Sequence, residues 1–326
     1  MAVVRWLGSL ALGVAMLVVC STSLAADTYP TKPVKVIVPT GVGTPWDSRV
    51  RMVAELLARR LGQPVLVENK PGAGGTLAAA FVANAAPDGY TLLAGTIADQ
   101  SIAPAVYEKL PYDPRKSFAP ITMAVRASPI LVVNASLGVS DMKDLLALAR
   151  AKPAQLSFGT YGNGTLTHLL LLQLNQMARI ELVHVPYKNA ADALTDVVGG
   201  QIAMMYDCVP TVGPFIKSGK LNAVMVVGPT RLKALANVPA APELGFSTLT
   251  HRGWSGFLAP MGTPREVILR LNSDLVQVLR SQEITRDAER VSTEIVANSP
   301  EEFAQYIRSE QEALAQLATT TGARIR

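Results

Sequence analysis

Two short loops rich in glycine and threonine carry the chemistry that this sequence suggests most directly. Residues 39–44 (PTGVGT) and residues 159–167 (GTYGNGTLT) each separate a short apolar run from a run with helical spacing. Backbone N–H groups at the start of a helix have no partner within the helix, and they lie at the positive end of its dipole. Each loop therefore predicts a site for an anion such as a carboxylate or a phosphate.

The helix after the first loop begins with recognisable capping residues. Thr44 suits the N-cap, Pro45 the first helical position and Asp47 the third position of a capping box. Apolar residues then recur at helical spacing as far as Leu61, and Gly62 suits the end of the helix. Pure capping by Asp47, without ligand contact, is the alternative for that residue. The candidate ligand contacts in this region are Val42, Gly43, Thr44, Trp46 and Asp47.

Further candidate residues follow the ends of predicted strands or lie in the second loop. Thr96, Lys188 and Asp207 each come shortly after a strand, and these strands are predicted at residues 90–94, 181–185 and 202–206. Ligands of open α/β sheets bind where the parallel strands end, so we expect these side chains near the ligand. A solvent-exposed Lys188 and ordinary capping by Thr165 are the alternatives. The second loop adds Thr160, Gly164, Thr165 and Thr167.

The order of strands and helices predicts an α/β fold of two lobes. Residues 34–96 read as strand, helix, strand, helix, strand, the pattern of a parallel sheet with right-handed crossovers. We expect each lobe to be a mostly parallel sheet flanked by helices, with a cleft between the lobes. Lobe 1 should comprise residues 26–125 and 229–326, and lobe 2 residues 126–228. Four further residues are predicted to cap helices: Ser140, Asn189, Thr263 and Ser299.

The N-terminal residues read as an export signal. A positively charged start precedes an apolar run at residues 6–19, and residues 23–25 (SLA) suit a cleavage site. We therefore expect a signal peptide at residues 1–25 and a periplasmic location. A membrane anchor and a lipidated Cys20 are the alternatives, although the apolar run is short for a membrane span. Cleavage would leave Cys208 without a second cysteine, so no intramolecular disulfide is expected.

The sequence lacks the motifs of several common enzyme classes. It has no Gly-x-Ser-x-Gly nucleophile elbow, and no P-loop lysine follows either glycine loop. The three histidines, His168, His184 and His251, have no metal-ligand spacing with cysteine or carboxylate residues. The net charge is +5, but the lysines and arginines are scattered, so nucleic acid is not an expected partner. We expect a binding protein without cofactor or metal.

Seven motifs in a fixed order resemble those of one family over about residues 28–326. They are residues 36–39 (VIVP), 62–75 (GQPVLVENKPGAGG), 86–93 (APDGYTLL), 110–114 (LPYDP), 162–165 (GNGT), 184–188 (HVPYK) and 258–264 (LAPMGTP). This set is similar to the tripartite tricarboxylate transporter receptors, also called Bug extracytoplasmic solute receptors. The resemblance implies a type II periplasmic binding protein whose two lobes close around an organic acid. It also implies delivery of that acid to a membrane permease.

The resemblance further implies that both glycine loops hold the ligand carboxylate. Gly43 and Asp47 match the first motif of the family, and the matches to the second motif are Gly164, Thr165, Thr167 and His168. We expect a monomeric receptor. The alternatives are a receptor that feeds a membrane sensor kinase, and an enzyme on the same two-lobed scaffold.

Some positions depart from the family pattern. Thr44, Pro45 and Trp46 stand where the family has glycine and small residues, Asn189 stands where glycine is usual, and Ala203 replaces a common aspartate. An indole at position 46 has two possible orientations. If it lies over the cleft, stacking should favour a planar or aromatic acid over citrate. If it packs against the sheet, no such preference follows.

Overall fold

The computed structural model describes residues 29–188 and 190–323. The predicted signal peptide, the alternative lipid anchor at Cys20 and the predicted cap at Asn189 lie outside the described residues. Within the described ranges, no helix has both the length and the apolar composition that a membrane span requires.

Strands and helices alternate along most of the chain. The strands are β1 (Val34–Val38), β2 (Val65–Asn69), β3 (Thr91–Thr96), β4 (Phe118–Ala127), β5 (Ile130–Asn134), β6 (Ser157–Thr160), β7 (Val183–Pro186), β8 (Met204–Asp207), β9 (Leu221–Val226), β10 (Gly253–Pro260) and β11 (Glu294–Ile295). The α-helices are α1 (Pro45–Leu61), α2 (Thr76–Ala83), α3 (Ala103–Val106), α4 (Met142–Ala151), α5 (Leu166–Ala178), α6 (Ala190–Val198), α7 (Val209–Lys217), α8 (Arg265–Leu279), α9 (Gln282–Arg290) and α10 (Pro300–Thr321).

The strands form two sheets, one in each lobe, which confirms the predicted two-lobed α/β architecture. The lobe 1 sheet has the order β11-β4-β10-β3-β1-β2, and the lobe 2 sheet has the order β7-β6-β8-β5-β9. β1 is parallel to β2 and β3, and β6 is parallel to β7 and β8. The other pairings are antiparallel, so both sheets are mixed rather than mostly parallel. Four of these five antiparallel pairings involve β5 or β10, which enter their sheets from the opposite lobe and run against their neighbours.

Helices cover both faces of each sheet. In lobe 1, Val53 of α1 and Leu271 of α8 are buried on one face, and Phe303 of α10 is buried on the other. In lobe 2, Leu174 of α5 and Val197 of α6 are buried in separate clusters on the two faces. Strands such as β5, in which every residue is buried, therefore need apolar side chains on both faces.

The chain crosses twice between the sheets. Residues 128–129 form the first crossing, between β4 and β5. Phe246 and Leu249 are buried in the lobe 2 core, whereas Trp254 is buried in the lobe 1 core. We therefore propose that the second crossing lies at residues 250–253 rather than near residue 228. Leu169 of α5 is also buried in the lobe 1 core, so α5 contacts both lobes.

The helix caps follow the sequence at some ends and depart from it at others. Thr44 caps α1, and Ser299 caps α10 with the reciprocal bonds of a capping box, as predicted. Two predicted caps are wrong. Asp141 rather than Ser140 caps α4, since its carboxylate accepts the free N–H of the first turn. The Thr263 hydroxyl donates to a backbone carbonyl and does not cap α8.

Candidate functional site

The candidate residues of both lobes lie beside the crossings, on the side of each sheet where the parallel strands end. We call this side the edge of the sheet. In lobe 1, Thr96 at the end of β3 pairs with Ser255, near the start of the strand that enters from lobe 2. In lobe 2, Asp207 at the end of β8 pairs with Ile130, the first residue of the strand that enters from lobe 1. The glycine loops follow strands parallel to β3 and β8, so they lie at the same edges. These edges form the two sides of a candidate ligand cleft.

Asp47 organises the loop between β1 and α1. Its side chain is buried and accepts hydrogen bonds from Gly43 N at 2.8 Å, Asn69 Nδ2 at 2.7 Å and Arg51 Nε at 3.2 Å. Burial works against the charged form, but the hydrogen bonds from Arg51, Asn69 and Gly43 outweigh it and lower the pKa of the carboxyl group. Both carboxylate oxygens are therefore engaged. Asp47 fixes the shape of the loop and offers no donor to an anion.

The loop presents backbone N–H groups rather than hydroxyl groups. The Thr44 hydroxyl donates its one proton to Gly41 O at 3.0 Å. In its contact of 2.8 Å with Thr40 Oγ1, the Thr40 hydroxyl is therefore the donor and Thr44 the acceptor. Among the described residues, no acceptor pairs with the N–H of Gly41 or of Val42, and Val42 is 76% exposed. These two N–H groups, next to the start of α1, are candidate donors of lobe 1 to an anion.

Trp46 belongs to the core of lobe 1, so of the two possible orientations of the indole the structure shows the one that packs against the sheet, and the predicted ligand contact at Trp46 is wrong. The indole is 9% exposed, its Nε1 donates to Ala94 O at 2.8 Å, and its ring centroid lies 5.8 Å from that of Phe257. Burial of the large apolar ring is favourable, and the Ala94 carbonyl satisfies its polar N–H. A buried indole cannot stack on a ligand, so the structure gives no reason to expect a preference for a planar acid.

The Thr96 hydroxyl also donates its hydrogen bond within the protein. Its hydroxyl donates to Asp99 Oδ2 at 2.6 Å and its N–H donates to the same atom at 2.8 Å, while Gln100 Nε2 donates to Oδ1 at 2.8 Å. Asp99 is fully buried, and burial raises the pKa of its carboxyl group to about 6. Sequence reasoning missed Asp99, although a threonine three residues before an aspartate is a local signal for such a turn.

A further glycine-rich loop in lobe 1, residues 72–75 (GAGG), fits closely over Asp99. A side chain at Gly75 would bring its Cβ within 3.0 Å of Pro39 Cβ and within 3.2 Å of Asp99 Oδ2. Gly75 also has a φ of +92°, which other residues rarely adopt. Glycine at this position thus allows the loop to approach the ends of β1 and β3.

The loop between β6 and α5 is closed by its own hydroxyl groups. Thr165 caps α5: its hydroxyl donates to Gly162 O at 2.8 Å and accepts from His168 N at 3.4 Å. The Thr167 hydroxyl therefore donates to Thr165 Oγ1 at 3.1 Å, and it accepts from Tyr161 N at 3.1 Å. Neither hydroxyl is free to donate to a ligand. In the described part of the chain, no acceptor pairs with the N–H of Asn163 or of Thr165.

Two histidines stack beside this loop. The rings of His168 and His184 lie 4.2 Å apart with an interplanar angle of 22°. His168 Nδ1 accepts from Gly164 N at 3.1 Å, which assigns the proton of the neutral ring to Nε2. Burial, with a smaller contribution from His184, lowers the pKa of His168 to about 4. His168 is thus a neutral donor at neutral pH. His184 Nε2 lies 2.6 Å from the hydroxyl of Thr160, which is fully buried.

Lys188 and Asp207 complete the lobe 2 edge. Lys188 is exposed, and within the described ranges it forms no ion pair, so its ammonium group is available to an anion. Asp207 is 8% exposed; its Oδ1 accepts from Cys208 N at 2.7 Å, its Oδ2 has almost no exposed surface, and the nearby Tyr161 and Thr211 hydroxyl groups favour its charged form. Burial raises the pKa of Asp207 to about 6.

The arrangement suits binding better than catalysis. Burial and the nearby Asp207 raise the pKa of the Cys208 thiol to about 12, so this cysteine is a poor nucleophile. Across the described residues, no group of three or more histidine, cysteine, aspartate or glutamate side chains could hold a metal ion. What the two edges offer is a set of unpaired N–H donors with one ammonium group.

Comparisons with known proteins agree with this picture. The model of the tripartite tricarboxylate transporter family receptor (TctC) matches residues 49–322. BugT of Bordetella pertussis is 32% identical over 307 residues, which cover 93% of this chain and 93% of BugT. A solved protein of Rhodopseudomonas palustris with adipate is 30% identical, with a TM-score of 0.82, over 90% of this chain and 98% of that one. MatC of the same organism with bound malate is 29% identical, with a TM-score of 0.78, over 89% of this chain and 99% of MatC. The chain belongs to the tripartite tricarboxylate transporter receptor family, as its motifs indicated.

Proposed function

We propose that this protein is an extracytoplasmic receptor that binds a small organic acid and delivers it to a membrane permease of the tripartite tricarboxylate type. Unpaired backbone N–H groups on opposite sides of one cleft carry this proposal: those of Gly41 and Val42 in lobe 1, and those of Asn163 and Thr165 in lobe 2. Each pair adjoins the start of a helix, where an anion is favoured.

The side chains refine this account of the site. Asp47, Thr44, Thr165 and Thr167 shape the loops, because their own hydrogen bonds lie within the protein. In the described part of lobe 2, His168 Nε2–H and the Lys188 ammonium group are two side-chain donors that could reach such a ligand. A ligand that contacts both lobes binds the closed arrangement more tightly than the open one, so binding shifts the population toward closure.

The ligand class follows from the relatives. Structures of two relatives hold adipate and malate, which are both aliphatic dicarboxylates. We propose a dicarboxylate of similar size for this receptor, bound without chemical change. Receptors of this family are not enzymes, and a ligand recovered unaltered after prolonged incubation would support the same role here. Conversion of the ligand would favour the alternative of an enzyme on this scaffold.

A thermal-shift panel of carboxylates tests the function, with the amide of each acid as its matched control. A ligand at about 100 times its Kd adds about 2.7 kcal/mol to the free energy of unfolding, which raises the melting temperature by several degrees. At least one acid should bind, and its amide should bind about tenfold more weakly, a difference of about 1.4 kcal/mol. Equal shifts for acid and amide would contradict an anion site.

The location and the partner are part of the proposal. We propose that residues 1–25 direct export to the periplasm, so the mature protein should begin at Ala26 or Asp27 and be monomeric. N-terminal sequencing of the exported protein tests this, and an intact Met1 or a modified Cys20 would contradict it. Co-purification with a permease, rather than with a membrane sensor kinase, would separate the two receptor roles.

A further inference from the structure

Helix α5 has two apolar faces, and each face lies in the core of a different lobe. Leu170 and Leu174 are completely buried in the lobe 2 core. Leu169 is completely buried in the lobe 1 core, and Leu166 and Leu172 pack against that same core as partly buried residues. Residues three apart are neighbours on a helix surface, so these three leucines form one stripe that faces lobe 1. Both lobes therefore hold α5.

The partner of this stripe in lobe 1 is α10. The two helices pack against each other, and Leu314 of α10 is completely buried in the same cluster as Leu169. Nearer the end of α5, Gln176 and Gln316 of α10 border a cavity of about 520 Å³ between the helices. Among the residues of α5, all of which the structure describes, only Leu169 is completely buried in the lobe 1 core. The contact is thus concentrated in the half of α5 that lies next to the cleft.

The stripe lies one helical turn from the lobe 2 anion loop. Leu169 N donates to the carbonyl oxygen of Thr165, the cap of α5, at 3.0 Å. Four residues of helix span only about 6 Å, so a shift of Leu169 relative to lobe 1 also shifts the loop at residues 159–167. The chain just before the second crossing is attached to α5 as well, since Gln173 Nε2 donates to Thr248 O at 3.0 Å.

We infer that Leu169 is a positioning residue for ligand binding: its contact with lobe 1 holds α5 so that the N–H groups of the lobe 2 loop meet a ligand bound at lobe 1. This inference rests on the proposed function. A ligand that bridges the lobes binds tightly only when the donors of both lobes are correctly placed. Leu169 itself does not touch the ligand, because its side chain is completely buried.

Two neighbouring leucines provide a matched test. Leu169→Ala and Leu170→Ala remove the same atoms from completely buried positions of one helix, the first from the lobe 1 core and the second from the lobe 2 core. Both should lower the melting temperature, because each leaves a cavity. Calorimetric titration, with the acid that gives wild type its largest thermal shift, is performed at a temperature at which each variant is folded. Leu169→Ala should bind about tenfold more weakly than wild type, and Leu170→Ala within about twofold of it.

Two further variants keep the test decisive. Leu169→Met nearly conserves the side-chain volume and should restore the affinity to within about threefold of wild type. If the alanine variants at these buried positions do not fold, Leu172→Ala removes a partly buried member of the same stripe and should weaken binding by about threefold. Its control is Leu148→Ala, a partly buried residue of α4 that packs against the lobe 2 core and should leave the affinity unchanged.

Small-angle X-ray scattering of the ligand-free protein measures the arrangement of the lobes without any ligand. Leu169→Ala should have a larger radius of gyration than wild type, whereas Leu170→Ala should match wild type. Equal affinities and equal radii for these two variants would show that Leu169 is a core residue only, and the inference would be overturned. If wild type binds none of the acids, the proposed function fails, and the scattering comparison still decides whether Leu169 fixes the lobes.

Discussion

Replacement of Val42 by proline tests the anion site of lobe 1 directly. The Gly41 carbonyl accepts from Thr44 N at 3.4 Å and Gly43 has a φ of +79°, so residues 41–44 form a type II turn with Val42 at its second position. Proline is common at that position and has no N–H. Val42→Pro therefore removes one donor and leaves the turn in place.

The expected loss follows from the strength of one hydrogen bond. A hydrogen bond to a charged group contributes about 1.5–3 kcal/mol, so Val42→Pro should weaken binding by about tenfold to about 150-fold. Proline at a compatible turn position also restricts the unfolded chain, which should raise the free energy of unfolding by about 0.4–1 kcal/mol. The two effects have opposite signs, so weaker binding cannot be confused with a damaged fold.

Isothermal titration calorimetry with the acid that gives the largest thermal shift measures the effect. Val42→Ala is the matched control, because it keeps the N–H and shortens a side chain that is 76% exposed. Its affinity should stay within about twofold of wild type. If the proline variant is more stable than wild type and yet binds as tightly as the alanine variant, the Val42 N–H does not contact the ligand. The role assigned to the lobe 1 backbone would then be wrong.

Three further substitutions test residues that shape the site. Asp47→Asn should lower the free energy of unfolding by about 1–3 kcal/mol in chemical denaturation, because an NH2 group would face the donors of the loop; an unchanged value would contradict this. Trp46→Phe removes the bond to Ala94 O and should cost about 1 kcal/mol without changing the ranking of acids in the thermal-shift panel; a changed ranking would place the ring at the ligand. The folded state holds the pKa of His168 at about 4, below the usual value of about 6.5, so the unfolded state binds the extra proton first as pH falls. The contribution of His168 to stability should therefore be lost between about pH 6.5 and pH 4, so the free energy of unfolding of wild type should fall relative to that of His168→Asn over this range; a constant difference would show that His168 titrates normally.

Local signals explain why much of the fold was predictable. The caps at Thr44 and Ser299 and the left-handed Gly62 depend on a few adjacent residues, which the sequence shows directly. Helix α7 was missed because it contains Gly213 and Pro214, which disfavour helices. It forms because Val212 is completely buried in the lobe 2 core. Tertiary packing overrides local preference there, and no pattern within the segment reveals it.

The two glycine loops were predictable in position, but the direction of their side chains was not. Spacing located both glycine loops, since a threonine or glycine before a helix is a local feature. Whether Thr165 donates to a ligand or to Gly162 O depends on how the loop closes on itself. The same limit applies to Trp46, because an aromatic side chain in the first turn of a helix can point to the sheet or to the cleft. The three-dimensional path of the backbone decides both cases.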